Sequence, residues 1–279
     1  MLSSMNARAT LLSIAILAAV CLTWELATPG GALAPKAELT EYEMLTGGAQ
    51  PDEGGLPAPS EIFLHAVTEL KDPFYDRGTN DQGIGTQLMY SVGRVLMGYS
   101  MAVMVAIPLG FLIGMSPLVQ KALNPYIQVL RPISPLAWMP LALFVIQDSV
   151  KSAIFVIFIC SIWPILVNTA FGVAAVKKDL LNVARTLELS PLKTAFTVIL
   201  PAAAPTILTG MRIAISISWL VIVAAEMLVG GTGIGYYVWN EWNNLDLTSV
   251  IFSIIMIGIV GMILDTVLAS ATRAVQYAD

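Results

Sequence analysis

Residues 179–210 read DLLNVARTLELSPLKTAFTVILPAAAPTILTG, a polar-and-apolar insert between two strongly apolar segments. It carries Asp179, Arg185, Glu188 and Lys193, with Lys177 and Lys178 just ahead, so it is not itself a membrane span. Leu180, Val183, Ala184 and Leu187 fall at i, i+3, i+4 and i+7, which places them on one helical face. Leu192, Ala195, Phe196 and Ile199 repeat that spacing. Ser190-Pro191 is a helix start: serine at the cap, proline at the first helical position, where a missing N–H loses no bond. Pro201 is expected to stop this second helix. Two readings stand open on pattern alone. The pair grips a soluble partner, or it lies on lipid headgroups.

The apolar flanks are typical of the whole chain. Of its 279 residues, 57% are hydrophobic and 12% charged, with mean hydropathy +0.78. A soluble domain has about 45–50% apolar and about 25% charged residues. The composition therefore predicts an all-α polytopic membrane protein. Its net charge of −5 conceals an asymmetry. Ten of the 19 acids lie between Thr28 and Met89, against Lys36, Lys71 and Arg77. Such segregation tracks membrane sidedness rather than nucleic acid, and no nucleic-acid partner is expected. Cys21 and Cys160 both lie in apolar runs, so no disulfide is expected.

Six apolar runs are long enough to span a bilayer: residues 10–27, 88–115, 123–147, 152–173, 206–229 and 250–271. They divide the chain into a first transmembrane helix (1–28), an external acidic segment (29–87) and a five-span core (88–279) that contains the polar insert (177–205). A cleaved signal peptide is the rival for the first run, with Ala32-Leu33-Ala34 as its site. Span length, with Trp24 and Glu25 as an interface anchor, favours a retained helix. The first half of the acidic segment is rich in Gly and Pro and should lack regular structure. Ser60 reads as a helix N-cap in its second half. The third run holds Pro125, Pro132, Pro135 and Pro140, which predicts a broken helix packed on protein or lining a cavity. Gly110 and Gly114 form a GxxxG contact motif in the second. Residues 230–248 read as an aromatic surface loop.

With the amino terminus inside, the inner short segments carry Arg8, Lys121, Lys177, Lys178, Arg185, Lys193 and Arg273, and the outer short loops only Lys151. The insert is then cytoplasmic. The predicted location is a cell membrane crossed several times, with the lipid bilayer as solvent.

There is no Gly-Lys dipeptide, hence no phosphate loop, and no H-E-x-x-H or cysteine cluster. No catalytic site, cofactor or metal is expected in this chain. Charges within spans are costly and are therefore candidates for a transport path. These are Arg94, Arg131 and Arg212, with Glu226 and Asp265 as acidic counterparts. A guanidinium fork suits a small oxyanion. Asn168, Ser216 and Trp219 are further lining candidates. Each also has a structural reading, as a snorkelling charge or an interhelical hydrogen bond.

The insert resembles the cytoplasmic E-A-A-x-x-x-G loop of ABC-importer permeases: residues 182–188 read NVARTLE and 198–201 VILP. SVGRVLMGYSMAVMVAIPLGFLIG (91–114), RPISPLAWMPLALF (131–144) and PAAAPTILTGMRIAISISWLVIVAAEML (201–228) are similar to the branch that imports nitrate, sulfonates and taurine, above all the nitrate/nitrite permeases of cyanobacteria. The resemblance implies a type I ABC-importer permease. It would pair with a second copy, two ATP-binding subunits holding ATP and Mg, and an external substrate-binding protein. It implies that Asn182, Val183, Ala184, Arg185, Leu187 and Glu188 dock the ATPase, Ala184 and Leu187 as buried contacts and Arg185 and Glu188 as the polar rim. Asn182 stands where the family has Glu, and Glu188 where it has the helix-ending Gly. Cargo is left open among nitrate/nitrite, sulfonate, taurine, cyanate and bicarbonate. A non-transporting anchor or receptor, or an ion-coupled carrier, is the reading from a different class.

Overall fold

The computed structural model describes residues 2–28, 55–78 and 81–275. The Gly/Pro-rich half of the acidic segment lies outside the described residues. The fold is mostly helical. In order come α1 (Leu2–Ala27), α2 (Pro59–Glu69), a small ribbon of β1 (Asp76–Gly78) and β2 (Asp81–Gln82), and α3 (Ile84–Met115). Then follow α4 (Pro117–Leu130), α5 (Pro135–Ile146), α6 (Ser149–Ala174), α7 (Lys178–Thr186) and α8 (Pro191–Thr194). A π-helical turn (Ala195–Ile199) leads into α9 (Leu200–Val229), then α10 (Ile234–Asn243) and α11 (Leu247–Val275).

The centre is α3 packed on α6 and α6 on α9. Small residues make the first contact possible. Gly98, Ala102, Ala106, Gly110 and Gly114 recur every fourth residue down α3, and both alanines are fully buried. A Cβ at Gly110 would come 2.6 Å from Thr169 Cβ, and one at Gly114 2.6 Å from the Ala170 carbonyl. The GxxxG motif is thus a real helix seam, extended upstream by three further small residues. On the other side of α6, a Cβ at Gly210 of α9 would meet Asn168 Cβ at 2.5 Å. Ser161 and Ser218 exchange a buried 2.6 Å hydrogen bond across the same pair.

Among the described residues, five helices are long and apolar enough to cross a membrane, and the sixth expected span is broken. α4 and α5 meet at 90°. The break falls at Arg131–Ser134: Pro132 has no N–H with which to continue α4, and Pro135 holds Ser134 out of the helix at ψ 134°, while Arg131 keeps helical angles. Taken alone, the halves are about 21 and 18 Å long, each shorter than a ~30 Å hydrocarbon core.

Three local expectations are corrected. Pro201 does not stop a helix. Leu200 N–H bonds to the Ala195 carbonyl, one residue further back than in an α-helix, and the widened turn carries the chain through Pro201 into α9. Residues 191–229 therefore run as one 39-residue apolar helix. Ser60 is not the cap of α2; Ala58 is, and Glu61 reaches back to its N–H. Ser60 instead gives its N–H and hydroxyl to Glu25 of α1, at 3.1 and 2.7 Å. Glu25 is therefore a buried carboxylate on a helix N-terminus rather than an interface anchor, and it ties α1 to the body. Finally, the aromatic loop contains a helix, α10, which buries Ile234, Gly235 and Tyr237 and exposes Trp239 and Trp242.

Candidate functional site

The polar insert forms α7 and its turn at the basic end of the bundle. Leu181 and Ala184 turn inward, and Ala184 is only 2% exposed. They face a cavity of about 440 Å³ lined also by Val173, Leu189, Thr194 and Ile199. Leu180, Val183 and Leu187 turn outward and are exposed. The apolar arc is about 160° wide at 100° per residue, more than one neighbour covers, so it divides between the chain's own body and the outside. Of the expected docking residues, Asn182, Val183, Arg185, Leu187 and Glu188 are exposed, whereas Ala184 is taken up by its own chain. The next turn divides likewise: Leu192 and Phe196 point out, and Ile199 is buried.

The helix ends in a Schellman turn. Leu189 N–H bonds to the Ala184 carbonyl at 3.1 Å and Glu188 N–H to that of Arg185 at 3.0 Å. Glu188 occupies the left-handed position at φ +50°, as a glycine would. The side chain adds about 1 kcal/mol of strain there, offset by two satisfied carbonyls.

Near the opposite, acidic end, Arg94 and Glu226 form a buried ion pair at 2.6 Å, 10% and 2% exposed. Glu226 also accepts from Ser91 Oγ (2.7 Å) and Gly235 N–H (3.0 Å). Arg94 donates to the Thr232 hydroxyl at 2.7 Å and to its carbonyl. Gln87 accepts from Gly233 N–H at 2.6 Å, and Ser91 from Ile234 N–H at 2.8 Å. Both carboxylate oxygens and both terminal guanidinium nitrogens have partners, as a buried pair requires. The network pins the turn between α9 and α10 onto α3. The glycines of G-T-G-I-G are there for shape: Gly231 and Gly233 have φ +99° and +122°, and a Cβ on Gly233 would collide with the Glu226 carboxylate. Arg94 is therefore held as a structural clamp, its terminal guanidinium nitrogens taken up by Glu226 and Thr232. Gln87, Ser91 and Thr232 were not singled out in the sequence, because ordinary polar residues carry no spacing signal.

Trp219 is also structural. It is 6% exposed, and its indole N–H donates to the Ile257 carbonyl at 2.9 Å, tying α9 to α11. Arg131 and Asn168 do come together. With Trp138, Trp163, Cys160 and Ile217 they line a cavity of about 300 Å³ where the α4–α5 break meets α6 and α9. Asn168 Nδ2 bonds to the Pro164 carbonyl at 2.8 Å, leaving its oxygen to the cavity. Arg131 is exposed at the bend. Arg212 and Ser216 share an exposed face of α9, where Arg212 makes a two-bond pair with Asp265 of α11, Nε–Oδ1 and Nη2–Oδ2 both 2.6 Å.

A bundle knitted by small-residue seams, with a largely apolar cavity that holds Arg131 and Asn168 and an outward-facing two-helix insert, defines a multi-pass membrane permease. Residues 106–276 match the family described as binding-protein-dependent transport system inner membrane component, and the chain belongs to that family. It is 44% identical to the nitrate import permease protein of Synechocystis sp., over 86% of each chain. It is 46% identical to that organism's bicarbonate transport system permease protein, over 75% of this chain and 76% of the other. The nitrate import permease of Leptolyngbya laminosa is 50% identical over 74% of each. Among solved structures, the inward-facing MetNI methionine ABC transporter superposes with a TM-score of 0.61 at 15% identity, covering 68% of this chain and 95% of that one. An amino acid ABC transporter gives 0.57, covering 67% and 92%. These two show the fold. The protein is thus a permease subunit of an ABC importer in the inner membrane.

Proposed function

We propose that the chain is the membrane path of an ATP-driven nitrate/nitrite importer. It works as two copies with two ATP-binding subunits, which hold ATP and Mg, and with an external protein that delivers the anion. The observation that carries the cargo is the 44–50% identity to nitrate import permeases over 74–86% of the chain. Bicarbonate is the second reading, favoured by the 46% identical bicarbonate permease. Both are small planar oxyanions, and the Arg131 guanidinium at the cavity is a donor that fits either.

Coupling is assigned to α7. Leu180, Val183 and Leu187, continued by Leu192 and rimmed by Asn182, Arg185 and Glu188, form an apolar knob on a capped helix. A groove on an ATPase subunit would bury it. Closure of the ATPases pushes on α7, and the cavity opens alternately to either side. Basic residues on the short segments support a cytoplasmic insert and amino terminus. The test is uptake in proteoliposomes by the assembled complex, with nitrate and bicarbonate in competition. ATP-dependent nitrate uptake resistant to excess bicarbonate is expected. Uptake of bicarbonate alone would move the assignment to the second reading.

A further inference from the structure

We propose that Arg212 and Asp265 form an exchangeable anion seat: at rest the Asp265 carboxylate occupies the guanidinium fork, and the travelling oxyanion displaces it. This rests on the reading of the chain as an oxyanion permease.

The case begins with a contrast between the two arginine–carboxylate pairs inside the apolar helices. Arg94–Glu226 is closed, 10% and 2% exposed, and both partners hold additional groups. Arg212–Asp265 is open, 47% and 35% exposed. Each side chain bonds only to the other, and the remaining N–H groups of Arg212 have no partner among the described residues. The first pair is built to stay together and the second is free to exchange.

An open charge pair facing hydrocarbon is strongly unfavourable, so this face of α9 and α11 meets water or the second copy. Its neighbours agree. Thr209 and Ser216, three residues before and four after Arg212, are exposed on the same face. Ile213 and Ile217, one position on, line the cavity that holds Arg131 and Asn168. The pair itself is not part of the cavity's lining; it stands one helix position round α9 from that wall.

The chemistry supports substitution. A carboxylate in a guanidinium fork presents two coplanar oxygens to two parallel N–H groups. Nitrate and bicarbonate present the same edge. One anion replaces another of equal charge and shape, so the exchange is nearly balanced. A transit site needs such balance to bind its cargo and still release it. The displaced Asp265 then lies beside a bound anion and repels it onward.

Exchange also has a mechanical consequence. Beyond the pair, α9 and α11 are joined at Trp219, which bonds to Ile257 and packs 3.0 Å from the position a Cβ would take at Gly261. That joint lies seven residues along α9, about 10 Å away. Releasing Asp265 frees the basic end of α11 to move about it.

The experiment uses the assembled complex, with nitrate binding by calorimetry and ATP-dependent uptake in proteoliposomes. Asp265→Asn should tighten nitrate binding by about tenfold, the loss of one competing charge-assisted pair, and slow uptake. Arg212→Gln should abolish the tightening. The double variant Arg212→Met with Asp265→Leu should melt near the wild type but fail to transport. If the pair is only a helix staple, Asp265→Asn leaves nitrate affinity unchanged and the apolar double variant transports normally, which overturns the proposal. A wild-type complex that carries bicarbonate instead refutes only the nitrate assignment, and the same variants measured with bicarbonate then decide.

Discussion

Glu226 shows why residue identity alone did not reveal role. Three arginines and two acids lie in the five core spans, and nothing in the sequence says which are partners. Folding pairs Arg94 with Glu226, 132 positions apart, and Arg212 with Asp265, 53 apart, leaving Arg131 at the helix break. Burial then separates a clamp from an open pair. Glu226→Ala should lower the stability of the purified complex by about 3–5 kcal/mol, because Arg94 is left charged and buried without its carboxylate. Thermal melting measures this. A variant that melts with the wild type would return Arg94 to the candidates for the path. Glu188 is the reverse case. Its departure from glycine was visible in the sequence, and the backbone keeps the glycine geometry regardless, since the two carbonyl bonds of the turn outweigh the strain.

At the scale of elements, the seam between α3 and α6 makes the sharpest claim. Gly110→Leu places a side chain where Thr169 already stands, and overpacking of this kind costs about 1–3 kcal/mol. The expected result is reduced yield of folded protein with Gly110→Leu and near-normal yield with leucine at the uncrowded Gly258, both measured by gel filtration. Equal behaviour would contradict the seam. This contact was legible in the sequence, because spacing of four is local information. So were the span positions, apart from the start of the helix that ends at Val229, and a break in the third span, though not which of its four prolines make it: Pro125 and Pro140 lie inside helices. The orientation of α7 was not. Periodicity says that Leu180, Val183, Ala184 and Leu187 share an arc, but which part of it the body covers depends on the distant Val173 and Ile199. Nor was the fate of Pro201 legible. A proline reads as a stop unless the preceding turn widens to five residues, and that widening is set by packing of residues 199–207 on α6.

For the whole molecule, the exposed row on α7 links the membrane path to a partner that supplies the energy, and docking through it is the central claim. The direct test compares Leu187→Asp with the wild type in the co-expressed complex, scoring both ATPase co-purification and ATP-dependent nitrate uptake. Leu187 is 64% exposed, so the substitution leaves the permease folded. The loss of one apolar anchor should weaken assembly and uptake by about tenfold or more. Ala184→Asp serves as the control. It puts a carboxylate among buried apolar groups and should lower the melting temperature of the permease itself. If the Leu187→Asp complex retains its ATPase subunits and carries nitrate at the wild-type rate, α7 is not the coupling surface.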